Sequence, residues 1–340
     1  MATRALIIGT ALLTLTAVGG CASSKPAATR AVKVVDPAPP GAPVLLAQFD
    51  TGVGAVSTTS PSPIWLEAGA VSAFDGSAVF SIRKGAVGGV DQLVRLDAKS
   101  GEVAQTWPLP PGVVSISAVA PGGLWIALTN REAGYASQGR ASTELVVFNP
   151  STGMETYRHK LSGDVQPEAF SADGTLIFAL NHFVDHYRVQ TLFLKTGERY
   201  DTSDRDKGVP AEDMHGQAVH GVMSDDRSLL ATLYRNPGDK AEPAFVHVLD
   251  LQHGWSYCAD LPAPFGTNPT GSDLIELSPR DTVVVAATQA QRLAEIQIDA
   301  VLTPGNDPVP IAFRNGTITP IGAEFQSMPG FDYAIATLPT

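Results

Sequence analysis

The sequence predicts an all-β protein made of a repeated four-stranded unit, and two observations carry that expectation. The first is a turn followed by a short apolar strand. It recurs as Asp75-Gly76 before SAVFSI, Gly122-Gly123 before LWIAL, Asp173-Gly174 before TLIFAL, Asp226-Arg227 before SLLATLY and Arg280-Asp281 before TVVVAA. A weaker sixth copy is Gly330-Phe331 before DYAIAT, and the second turn residues stand 47, 51, 53, 54 and 50 positions apart. The second observation is another turn at a consistent offset. LVRLDAKSG closes at Gly101, LVVFNPSTG at Gly153, TLFLKTG at Gly197 and VHVLDLQHG at Gly254. Each is an alternating strand ended by polar residues and glycine, the chemistry of a tight hairpin.

Every unit therefore holds four strands, one on either side of each turn. A near-constant period of this size built from short strands signals a β-propeller in which each unit is one blade. A β-sandwich also uses short strands, but it gives no reason for a constant period. Five full units fit between Ile64 and about Arg314, and the sixth has two strands before Thr340. VLLAQF and GAVST, between Val44 and Thr59, have no unit of their own. The expectation is closure, with these N-terminal strands completing the C-terminal blade. That gives six blades, or seven if Tyr200 to Met214 contains irregular strands. The two turns resemble those of the WD40, YVTN and TolB-like propeller superfamily over most of residues 44 to 340, a resemblance that implies architecture and little about role.

The domain is preceded by two other segments. Residues 1–20 place Arg4 before an apolar run from Ala5 to Val18 and end on Gly19-Gly20, the layout of a secretory signal. The run is short of the roughly 20 apolar residues that a spanning helix needs. Val18-Gly19-Gly20-Cys21 resembles the bacterial lipobox, with Gly19 where Ala, Ser or Thr is commoner. That resemblance implies cleavage before Cys21, diacylglycerol on its thiol and acylation, typically with palmitate, of the new amino terminus. Several acyl chains on one residue hold a protein on a bilayer far better than one. Residues 21–43, rich in Ala, Ser and Pro, read as a flexible linker. The expected location is the outer side of the cell membrane, lipid-anchored.

Composition narrows the partners. The net charge of −11 becomes −12 when Arg4 leaves with the signal, and no Lys/Arg cluster is present. Nucleic acid is excluded as a partner on that footing. The expected partners are the membrane, through the lipid, and an envelope protein, a wall polymer or a small ligand. With Cys21 lipidated, the second cysteine, Cys258, has no disulfide partner; its alternating WSYCADL setting reads as a buried small hydrophobe. Trp65, Trp107, Trp125 and Trp255 each follow a strand pattern and read as packing between blades.

The turns with Asp-Gly and with the second glycine share one face of such a ring. The long connections, Arg131 to Thr143, Asn181 to Tyr187 and Tyr200 to His215, fall on the other, which marks it as the functional face. Candidate binding residues there are Arg131, Tyr135 and Arg140. His182, His186, Asp213, His215 and His220 form a candidate ligand or metal site near the ring axis. Imidazoles and carboxylates together suit a single divalent metal or acid–base work, and equally suit strand-end hydrogen bonding. Asp204-x-Asp206-x-Gly208 has the look of a calcium loop, but its glycine is one place early and position 12 is His215, so the EF-hand ligand set is missing. No G-x-S-x-G, P-loop or G-x-G-x-x-G follows a strand. No cofactor is expected. The leading expectation is a binding or scaffolding module; the alternatives are a lactonase-like hydrolase with a metal or histidine site at the channel mouth, and a passive spacer.

Overall fold

The computed structural model describes residues 43–59, 62–85, 89–131, 140–204, 213–267, 273–278, 282–297, 309–316 and 331–338. Residues 1–42, with the signal, Cys21 and nearly all of the linker, lie outside this set, as does Tyr135.

The described residues form six sheets and no α-helix. The first sheet holds β4 (Val71–Ser72), β5 (Val79–Arg83), β6 (Gln92–Leu96) and β7 (Val103–Pro108); the second holds β8 (Ser115–Val119), β9 (Ile126–Thr129), β10 (Ser142–Asn149) and β11 (Met154–Ser162). The third is β12 (Asp164–Phe170), β13 (Leu176–His182), β14 (Tyr187–Phe193) and β15 (Arg199–Asp201). The fourth is β17 (Gln217–Met223), β18 (Leu229–Arg235), β19 (Ala244–Asp250) and β20 (Trp255–Leu261), with β16 (Ser203–Asp204) added parallel to β20. The fifth is β21 (Asp273–Ser278), β22 (Thr282–Ala287), β23 (Arg292–Gln297) and β24 (Ile311–Asn315). The sixth joins β25 (Phe331–Leu338) to β1 (Val44–Phe49), β2 (Gly52–Ser57) and β3 (Pro63–Ala68).

This is the architecture of a β-propeller with six sheets as its blades. The N-terminal strands do share a sheet with the C-terminal strand, Val44 standing opposite Leu338. Their division differs from expectation. Pro63–Ala68 pairs with β2 and belongs to the sixth sheet, not to the first unit. Phe331, read as a turn residue, already lies in β25. So three strands come from the start of the domain and one from its end. The described part of Tyr200 to Met214 makes no seventh sheet: Ser203–Asp204 extends the fourth, and Met214 bridges to Tyr187.

The core explains the alternation of the strands. Successive residues of a strand point to opposite faces, and here each face meets a different neighbour. On β10, Val146 and Phe148 pack toward the first sheet while Leu145 and Val147 pack toward the third. On β18, Leu230 and Tyr234 join the third sheet while Leu229, Ala231 and Leu233 join the fifth. Apolar layers of this kind lie at five successive junctions, beginning with that of the sixth and first sheets. Each buried Leu, Ile, Val or Phe contributes about 1.5–3 kcal/mol. Outer strands such as β7 have one covered face and are accordingly exposed along most of their length.

The turns follow the same logic in repeat. Asp75, Asp173 and Asp226 each accept from the backbone N–H two residues on, at 3.0–3.1 Å. The next position needs the left-handed region, which Gly76 (φ 67°) and Gly174 (φ 70°) adopt freely and Arg227 (φ 64°) adopts under constraint. Gly101 leaves room for the Trp65 ring, since a Cβ there would sit 2.6 Å from it, and Trp65 Nε1 donates to the Ala98 carbonyl at 3.0 Å. His159 makes the equivalent contact two sheets on, its Nε2 2.6 Å from the Leu194 carbonyl beside Gly197. Trp107 stands between Phe80 and Phe148, and Trp255 in the layer between the fourth and fifth sheets.

The short-turn face is closed at its centre. The first and fourth sheets, three places apart in the order of six, meet there: a Cβ on Gly221 would lie 2.9 Å from the Phe74 ring, and Arg227 pairs with Asp75 at 3.0 Å.

Candidate binding site on the long-loop face

The connection from β13 to β14 is a tight turn in which Phe183 N–H donates to the His186 carbonyl at 2.8 Å. Tyr187 then exchanges backbone hydrogen bonds with Met214 at 2.8 and 3.0 Å. That exchange brings the segment entering the fourth sheet against the third. His186 Nδ1 lies 2.8 Å from Asp185 Oδ1 and its Nε2 3.6 Å from Asp213 Oδ1. His215 Nδ1 donates to the Asp185 carbonyl at 2.9 Å, and the two imidazoles stand 6.2 Å apart. The Phe183 ring stacks on His186 at 4.6 Å. Of the five residues expected to converge, His186, Asp213 and His215 do so.

The other two do not. His182 sits beside Gln166, Nε2 to Oε1 3.1 Å, and against the Tyr187 ring. Burial first, then the Arg131 charge, push its imidazole down to about 4, so it is neutral. His220 is on β17 next to a register shift, and burial pushes it down to about 4 as well.

Asp213 is already engaged. Arg188 Nε donates to its Oδ1 at 2.6 Å, and this hydrogen bond holds the carboxyl below its ordinary range. Arg188 also reaches Asp201 at 3.4 Å, and Gln190 Nε2 donates to the other Asp201 oxygen at 2.8 Å. Among the described residues no group of three or more His, Cys, Asp or Glu side chains converges as a metal ion requires.

Arg131 does not serve as an exposed binding residue. It turns inward onto Asp164 at 3.1 Å, with side-chain exposures of 11% and 0%. A paired cation at that depth is framework, costly to break and out of reach of a partner. Arg140 donates from Nη1 to the Asn130 carbonyl at 2.8 Å and does reach a surface cavity.

That cavity, about 520 Å³ between the second and third sheets, is the feature that the sequence left unseen. Arg140, Ser162, Asn181, His182, Phe183 and Arg199 are among its walls, with Val184 and Asp185 also lining it. Phe183 and Val184 are exposed apolar side chains at 40% and 88%. A second cavity of about 470 Å³ lies beside His215, with Asn236, Asp239 and Lys240. On the opposite face a groove of about 660 Å³ runs between the sixth and first sheets, where Asp97 stands between Arg95 and Lys99 in sequence. Leu338 lines that groove, and Val44 pairs with Leu338. The domain therefore begins on the short-turn face.

A polar group also lies inside the ring between the third and fourth sheets. Glu168 occupies the bulge of β12 and accepts from Tyr234 Oη at 3.2 Å. Burial pushes its carboxyl up to about 7, and the tyrosine hydrogen bond only partly offsets this. His247 is buried, pushed down to about 4, and stands opposite Cys258 in register. Cys258 is half-buried rather than buried and packs against the apolar layer there.

No protein-family model matches the chain, and no curated protein matches it. Solved structures that it is similar to include TolB from Acinetobacter baumannii, at 14% identity, TM-score 0.41, covering 76% of this chain and 61% of that one. The chain thus spans less than two thirds of that structure's length. The periplasmic gluconolactonase PpgL of Pseudomonas aeruginosa is similar at 13% identity, TM-score 0.38, covering 81% and 99%. BamB from Moraxella catarrhalis is similar at 11% identity, TM-score 0.36, covering 68% and 61%. The fold assignment rests on the sheets themselves. No helix among the described residues is long and apolar enough to cross a membrane.

Proposed function

We propose that the protein is a lipid-anchored, extracytoplasmic β-propeller that works as a binding module, held at Cys21 and engaging an envelope protein, a wall polymer or a small ligand through its long-loop face. The observation that carries this reading is the opposition of the two faces. Val44, where the linker joins the domain, lies on the short-turn face beside Leu338 and the Asp97 turn. That face is plugged at its centre by Phe74. The cavity edged by Phe183 and Val184 opens on the other face, away from the attachment, where a tether does not obstruct it. Exposed apolar side chains beside polar groups are the usual make-up of a recognition surface.

The test has two parts. Cys21→Ser moves the protein from the membrane fraction to the soluble one and removes the lipid mass, whereas unchanged fractionation overturns the anchor. A photo-crosslinking residue at Val184 labels a defined partner that the same residue at Lys99 does not. Equal labelling from both positions overturns the loop-face assignment.

A further inference from the structure

We propose that the cavity between the second and third sheets is a site for a small organic anion, one carboxylate received by Arg199 on the wall it shares with Arg140, with an apolar ring face laid on Phe183 and Val184. The inference rests on the reading of the long-loop face as a binding surface and names the ligand chemistry of that face.

The central residue is Arg199. Its Nη2 donates to Ser162 O at 2.8 Å and Ser162 Oγ at 2.9 Å, and its Nη1 donates to Gln190 Oε1 at 3.0 Å. All three acceptors are neutral, and among the described residues no carboxylate comes within ion-pair distance of it. The other guanidiniums nearby are arranged differently: Arg131 is paired with Asp164 and Arg188 with Asp213 and Asp201. Arg199 is thus positioned by neutral acceptors, with the Asp201 charge acting on it only from beyond ion-pair distance, and partial burial of a cation is unfavourable until an anion arrives. Desolvation holds its guanidinium below its ordinary range, and the Asp201 charge offsets only part of that.

The rest of the cavity completes the match. Arg140 stands on the same wall system, held by Asn130. Asn181 offers an amide there, and Gly163 leaves it room, since a Cβ at 163 would lie 2.7 Å from Asn181 Oδ1. Phe183 has one ring face on His186. Asp185, the one carboxylate on the cavity wall among the described residues, is turned onto His186 Nδ1. His182 is neutral, so the Arg199 guanidinium sets the sign of the site. A volume of about 520 Å³ suits a ligand of sugar-ring size. Planar guanidiniums favour carboxylates through two-pronged hydrogen bonds. On a chain of net charge −11 such a site selects by local charge rather than by long-range attraction.

Titration calorimetry on the full chain in detergent tests this with sodium glucuronate and, as its neutral counterpart, glucose. Saturable glucuronate binding with glucose at least about tenfold weaker is the expected result, that ratio corresponding to one charge-assisted contact. Arg199→Gln should weaken glucuronate about tenfold or more with its melting temperature retained, and Lys99→Gln on the other face should leave binding unchanged. If Arg199→Gln unfolds the protein, Arg140→Gln supplies the same comparison. Absent glucuronate binding, equal binding of glucose, or indifference to both arginine substitutions overturns the site. Loss of the Val184 crosslink with glucuronate binding intact would instead sink the partner surface alone.

Discussion

On the short-turn face, Asp75, Asp173 and Asp226 each bind backbone and hydroxyl groups within two residues of themselves. On the long-loop face, Asp185, Asp201 and Asp213 each reach side chains, and for Asp201 and Asp213 the partner lies 11 to 25 residues away. The same residue type closes a turn in one place and joins two segments in the other. Local hydrogen bonds repeat because the repeat unit carries both partners. Bonds between segments are made once, so they can differ from blade to blade. The face that varies is the one able to specialise.

Four measurements press on this contrast. The largest effect is expected at the latch between the sixth and first sheets: Trp65→Ala should cost about 3–5 kcal/mol in urea denaturation, because the ring is 3% exposed and fills the space over Gly101. Phe183→Ala should change stability by less than about 0.5 kcal/mol. A comparable loss at both positions would dissolve the distinction between a structural and a presenting face.

The second is pH. Burial keeps His182, His220 and His247 neutral down to about 4 and Glu168 protonated up to about 7. In the unfolded chain the histidines titrate near 6.5 and the glutamate near 4.5. From pH 4.5 to 6.5 the unfolded state holds three histidine protons and the folded state one glutamate proton. Stability therefore rises with pH there, by about 2 kcal/mol per unit. Near pH 7 the last unfolded-state histidine protons and the Glu168 proton leave together, so the rise flattens to a plateau. Glu168→Gln should steepen the rise between pH 4.5 and 7; an unchanged profile in the variant would mean that Glu168 ionises freely.

The third compares two aspartates. Asp226→Ala removes an acceptor used by Ser224 Oγ at 2.7 Å and by the Ser228 backbone and hydroxyl, and should cost about 1 kcal/mol. Asp185→Ala should leave the denaturation midpoint in place while altering glucuronate affinity, since Asp185 lines the cavity. The fourth measurement is Arg227→Gln, which breaks the half-exposed pair with Asp75. A loss of about 0.5 kcal/mol that disappears in molar salt is expected.

The fold was legible because its turns are local. Asp-Gly and the second glycine announce themselves within a few residues, and even Arg227 kept its place through the flanking Asp226 and Ser228. The strand Pro63–Ala68 was misplaced for the complementary reason: its alternation is the same whichever sheet it joins, and only its register against β2, with Trp65 opposite Ala55, places it in the sixth. The site was legible in part. His186, Asp213 and His215 lay on long connections and did converge. Arg199 gave no signal, because its acceptor at Ser162 is 37 residues away and arrives through the packing of two sheets. Arg131 was misjudged because an arginine at a strand end reads as exposed until Asp164 is placed beneath it. Glu168 was invisible, since only the register shift of β12 turns it toward Tyr234.

The pairing of Val44 with Leu338 sets a timetable. At typical synthesis rates, β25 leaves the ribosome about 15 to 60 seconds after β1. Until then the apolar edge of β1 has no neighbour on that side, and exposed strand edges recruit other chains. A chain cut short before Phe331 lacks one strand, and with it the piece that locks the first three. Such fragments should be scavenged by proteases rather than accumulate as five-sheet survivors.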